Sequence, residues 1–62
     1  MNYYNYIYIA IPTINGEING DPKLYYSNSY ENDYILLLEY FNLPEATIFV
    51  INYNSHSIKE VI

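Results

Sequence analysis

His56 is the one side chain of this 62-residue chain whose ordinary pKa suits proton transfer near neutral pH, and it lies between Ser55 and Ser57. A base beside two hydroxyls invites a nucleophilic reading. A catalytic triad, however, is defined by side chains that converge in space, and neighbours in a turn do not converge. The segment therefore reads as an exposed turn. Glu31 and Asp33 raise the question of paired-carboxylate chemistry. Two positions apart on a helix they face different sides, so they suit the positive end of the helix dipole better than an acid and base pair.

The run Asn15-Gly16-Glu17-Ile18-Asn19-Gly20-Asp21 has oxygen-bearing side chains at alternate positions and a glycine sixth, as a calcium loop begins. Its twelfth position is Tyr26, where such a loop requires a bidentate Glu. What remains is a pair of Asn-Gly turns. Neither glycine precedes a Lys-Ser/Thr step opening a helix, so there is no phosphate loop. No catalytic, metal-binding or cofactor-binding residue is assigned, and a non-enzymatic protein is expected.

What the chain does have in quantity is tyrosine, ten residues in all, with no cysteine or tryptophan. Tyrosine combines a broad apolar ring with a hydroxyl at small conformational cost, which suits surfaces that touch other proteins. From Tyr3 to Ile11 the residues alternate as in a strand: Tyr3, Ile7, Ile9 and Ile11 on one face, Tyr4, Tyr6, Tyr8 and Ala10 on the other. Pro12, which donates no ladder hydrogen bond, is expected to end that strand. The Asn-Gly turns follow as a loop or a very short hairpin, and Lys23 to Ser27 resumes extended character, able to pair back onto the first strand.

Asn28 with Glu31 three residues on has the form of a capping box, which predicts a helix over Ser29 to Asn42. Asn42 can take the left-handed conformation at its end, and Pro44 forbids continuation. Tyr30, Tyr34, Leu37, Leu38 and Phe41 share a stripe that must pack on a sheet, while Leu36 and Tyr40 form a second ridge on the far side. Ala46 to Tyr53, β-branched and aromatic, reads as a central strand, and Ile58 to Ile62 as an edge strand after a turn. The expected fold is α+β, a single domain over residues 1–62: a small four-stranded, mostly antiparallel sheet in ββαββ order with one helix on one face.

With one helix, only one face of such a sheet is covered from within, which makes Tyr4, Tyr6, Tyr8, Leu36 and Tyr40 the predicted interaction surface. A domain this short has a small core and needs a disulfide, a metal or self-association to compensate. Cysteine is absent and His56 stands alone, so a homodimer or a tight protein partner is expected. Seven acids against two lysines argue against direct nucleic-acid binding, although carboxylates in line could imitate phosphates in a partner's groove. Apolar runs such as Tyr34 to Leu38 are far too short to span a bilayer, and no leader pattern is expected at the start of the sequence. A soluble, cytoplasmic protein is expected.

Small size, acidity, absence of cysteine, and abundant Tyr, Asn and Ile together resemble the very small phage and prophage proteins that disable bacterial defence systems. In size and character the chain is similar to inhibitors of Hachiman, a helicase-containing defence complex. The resemblance spans the whole chain in composition and length and carries over no particular residue. It implies stoichiometric binding of a bacterial defence protein, in the host cytoplasm, without catalysis or cofactor. The alternative is an antitoxin or a small assembly subunit that uses the same patches in a permanent complex.

Overall fold

The computed structural model describes residues 4–62. Tyr3, placed by alternation on the isoleucine face, lies outside them. Five strands and one helix follow in order: β1 Tyr6–Ile14, β2 Glu17–Ile18, β3 Lys23–Ser27, α1 Tyr34–Phe41, β4 Ala46–Asn52 and β5 Ser57–Val61. All pairings are antiparallel, β1 lying against β4 on one side and sharing its other edge between β3 and β2, with β5 outside β4. The fold is α+β as expected. The fifth strand is the two-residue ladder β2, the very short hairpin that the doubled Asn-Gly segment allows as the alternative to a loop.

That ladder arises from turn chemistry. Ile14 pairs with Glu17 across the two residues Asn15 and Gly16, whose φ values of 51° and 82° are the positive pair of a type I′ hairpin. Pro12 does not end β1, which runs on to Ile14. On β1, Thr13 donates its N–H toward β4, to the Glu45 carbonyl, while the Pro12 carbonyl accepts from Asn19 on the opposite edge. The proline nitrogen therefore faces the gap between the end of β3's pairing at Ala10 and the start of β2's at Thr13, where no donor is required. Gly20 passes there with φ 129°, and a Cβ on it would stand 3.5 Å from the Pro12 ring.

The helix is shorter than the predicted Ser29 to Asn42, and its cap is Asp33. One Asp33 carboxylate oxygen accepts from the N–H groups of Ile35 at 3.0 Å and Leu36 at 3.2 Å. Asn28 instead holds β1, its side-chain oxygen accepting from the Asn5 N–H, and Glu31 accepts from the Asp33 N–H. The cause is Tyr8, whose hydroxyl donates to the Ser29 carbonyl at 3.0 Å and accepts from the Glu31 N–H at 2.6 Å. Backbone groups that a helix would need are already engaged with the sheet. The far end agrees with expectation: Asn42 is left-handed at φ 58°, and Asn42 and Leu43 donate back to the Glu39 and Leu38 carbonyls.

Leu37, Leu38 and Phe41 pack down onto Tyr8, Ala10, Ala46, Ile48, Val50 and Val61, forming the core. The phenol of Tyr34 donates to the Ala46 carbonyl and accepts from its N–H, tying the first turn of α1 to the first residue of β4. Among the described residues no helix is long and apolar enough to cross a membrane.

Glu45 closes the sheet at its turn end. Its carboxylate accepts from the Thr13 hydroxyl at 2.7 Å, the Gly16 N–H at 2.7 Å and the Asn15 N–H at 3.0 Å. The Thr13 hydroxyl, followed by the Gly16 N–H, holds its pKa below the ordinary carboxylate value. A folded-state pKa below the unfolded one means this contribution is complete above the unfolded value and is lost as pH falls through the folded one. The amide resonances of Asn15 and Gly16 are therefore expected to titrate below the usual Glu range. In Glu45→Gln that acid-range titration should vanish and the hairpin amides should exchange faster; unchanged titration would assign the transition to another acid.

Candidate interaction surface

The strand register sorts every sheet residue onto one of two faces. The face beneath α1 carries Tyr6, Tyr8 and Ala10 of β1 with Ala46, Ile48 and Val50 of β4. Tyr8 is fully buried and Tyr6 half-buried, so the tyrosine face predicted for a partner is the face the chain covers with its own helix. Burial pushes the Tyr8 phenol above its ordinary pKa, against the opposing pull of the Glu31 N–H. The premise that one face stays uncovered holds, but the sides are exchanged.

The reason lies in residue size. Ala10 and Ala46 lie on the tyrosine side, and small side chains let a helix approach a sheet closely. The opposite face has Ile9 paired with Phe49 at its centre. Alternation alone separates the two sets; the alanines are the signal that would have said which set goes inside.

Of the five predicted contact residues, Tyr6, Tyr8 and Tyr40 belong to one chain of rings on the helix side. Centroids run Tyr6 to Tyr8 at 6.4 Å, Tyr8 to Tyr25 at 5.9 Å and Tyr25 to Tyr40 at 5.5 Å, and Tyr30 adds to Tyr6 at 5.4 Å. Tyr40 is 53% exposed and Leu36 half-buried. Tyr4 parts from the set. A bend at Asn5 breaks the alternation, and Tyr4 stacks on Tyr26 at 5.8 Å, on the uncovered side.

The uncovered face is built in rows by the register. Tyr26, Ile7, Ile51 and Ile58 run across it from β3 to β5, followed by Leu24, Ile9, Phe49 and Glu60, then Ile11 and Thr47. Ile7 is buried between its cross-strand neighbours. Leu24, Tyr26 and Ile58 are 56%, 46% and 61% exposed, and Ile9, Ile11, Phe49 and Ile51 are half-buried. Among the described residues in these rows, Glu60 is the one that carries a charge. A face this broad and apolar, with no layer over it among the described residues, is a candidate interaction surface.

The chemistry-bearing residues are elsewhere. His56 is exposed in the β4–β5 turn with φ 55°, and its neighbours Ser55 and Ser57 share a hydrogen bond with each other at 2.8 Å. Glu31 accepts from the Asp33 N–H ahead of α1, and Asp33 accepts from the Ile35 and Leu36 N–H groups in its first turn. Among the described residues no three His, Cys, Asp or Glu side chains come together in a way that could hold a metal ion.

Fold and surface together define a class: a minimal helix-on-sheet domain that offers an open apolar β-face. Comparison with known proteins adds nothing more particular, since no family model, no curated protein and no solved structure matches the chain.

Proposed function

We propose that this protein is a non-enzymatic inhibitor that acts by stoichiometric binding, working as a homodimer in the cytoplasm of a bacterial host. Its target is a component of an anti-phage defence system, and its source is a phage or prophage. The single observation that supports a binding role is the uncovered face around Ile9, Phe49 and Ile51, which a domain with so small a core has reason to bury. Small size, acidity and tyrosine content supply the link to defence inhibitors of the Hachiman type.

The test is plaque formation on a host carrying a Hachiman system. Expression of the chain should restore plating to the level of a host without the system. The paired substitution Tyr26→Lys with Ile58→Lys, both on exposed side chains of the open face, should abolish that rescue, while His56→Ala should leave it intact. Plating that stays suppressed despite abundant folded wild-type protein would overturn the inhibitor reading. Loss of rescue in His56→Ala alone would point to chemistry in the turn.

A further inference from the structure

We infer that the open β-face is covered by a second copy of this chain, sheet against sheet, giving a four-layer particle with a helix on each outside. The inference rests on the binding role proposed above and names the occupant of its face.

Charge singles out this occupant. A chain with net charge −5 repels its own copies, so a homodimer must meet through a region almost free of charge. Among the described residues of the open face charge is confined to the borders: Glu60 lies on the outermost strand β5, and Glu45, opposite Thr13 at the turn end, has its carboxylate engaged by the Thr13 hydroxyl and the Asn15 and Gly16 N–H groups. The two lysines are not there: Lys59 pairs with Val50 and Lys23 with Ala10, both on the helix side, and the Lys59 ammonium stands 5.7 Å from the Tyr30 ring centroid. A basic partner would find carboxylates at the borders alone, one of them already satisfied by the hairpin. A second copy finds an apolar surface like its own.

Symmetry then places the rim. Aligned sheets pack about 10 Å apart with strands within about 30° of each other. A two-fold axis along the β1–β4 seam lays β3 of one copy over β5 of the other. Tyr26 then meets the partner copy's row end at Ile58, Ile7 meets Ile51, and the two Glu60 carboxylates fall on opposite rims where water reaches them. The size also suits. Four strands at about 4.8 Å spacing, over the length of β4 at about 3.4 Å per residue, give a footprint of about 450 Å². Side-chain relief adds accessible area, and two such faces together exceed the roughly 1,000 Å² that a specific interface needs.

Light scattering on the purified chain should give twice the 7.4 kDa protomer mass at micromolar concentration. Tyr26→Lys with Ile58→Lys should halve that mass with the far-UV dichroism retained, and Tyr40→Lys, on the helix side, should leave it doubled. Because the chain lacks cysteine, a second approach needs no disruptive charge. In a Tyr26→Cys/Ile58→Cys variant the two thiols of one copy are three strands apart, about 14 Å. A short bis-maleimide should therefore yield covalent dimer, whereas Tyr40→Cys should yield none.

A monomeric wild type overturns the inference, as does a doubled mass that survives the paired lysines or is halved by Tyr40→Lys. If the wild type is monomeric yet the open-face variant loses plaque rescue, the face belongs to the target rather than to a second copy. A dimer of this form with no rescue leaves the pairing standing and removes the defence role.

Discussion

Replacing Tyr8 with alanine should remove most of the domain's stability. A domain of 62 residues has a total stability of about 3–9 kcal/mol, at roughly 0.05–0.15 kcal/mol per residue. Tyr8 is among the largest fully buried side chains, and truncating a core aromatic to alanine costs about 3–5 kcal/mol in lost transfer energy and cavity. The ring also lies between Tyr6 and Tyr25, so both would lose a packed neighbour. The hydroxyl can be separated from the ring. Tyr8→Phe keeps the packing but strands the Glu31 N–H and the Ser29 carbonyl, at a cost of about 1–3 kcal/mol. Ser29 is exposed, so water repairs part of that loss and the lower end of the range is expected.

Urea unfolding followed by far-UV dichroism, at one fixed protomer concentration, measures both values. An alanine variant that loses less than the phenylalanine variant would show that the ring is not a core element. Tyr8→Phe has a second consequence. With its bridge gone, residues 29–31 are released from the sheet, and the Asn28 and Glu31 pair could then cap a longer helix. A rise in helical dichroism in Tyr8→Phe would mark that change.

This competition explains how much of the fold was legible. Strand periods, the Asn-Gly hairpin and the Asn42–Pro44 stop are local signals, and β1, β3, β4 and β5 fall close to where the residue pattern put them. The helix starts later than the local signal says, because Asn28 and Glu31 have the form of a sound cap and what defeats it is a hydroxyl arriving from Tyr8, more than twenty residues away. Pro12 escapes local rules for a similar reason: whether a proline is tolerated depends on which edge its nitrogen faces, and that edge is decided by how β2 and β3 share β1.

The interaction surface shows the same division. Alternation over Tyr4 to Ile11 separates two sets of side chains faithfully from Tyr6 onward, but both sets are apolar and periodicity has no sign. Composition drew the choice toward the tyrosines as interface residues. Packing decides otherwise, because a tyrosine with two backbone partners for its hydroxyl is as good a core residue as isoleucine, and the alanines admit the helix on its side.

Leu37→Ala should come close to Tyr8→Ala in effect and fail in a different way. The helix has eight residues, too few to persist in water by itself, so its existence depends on the stripe of Leu37, Leu38 and Phe41. Leu37 is the fully buried member of that stripe, and its truncation costs about 2–5 kcal/mol. By contrast Ile35→Ala, at a side chain 61% exposed on the same helix, should change stability by no more than about 0.5 kcal/mol. Once α1 detaches, Ile48 and Val50 lose their cover while the opposite face is already apolar, so the sheet would present two sticky faces. Hydrogen exchange should show the amides of 36–41 losing protection before those of β1 and β4, and scattering should show aggregation that climbs with concentration. Retained protection of those helix amides in Leu37→Ala would mean that Leu38 and Phe41 suffice to hold the layer.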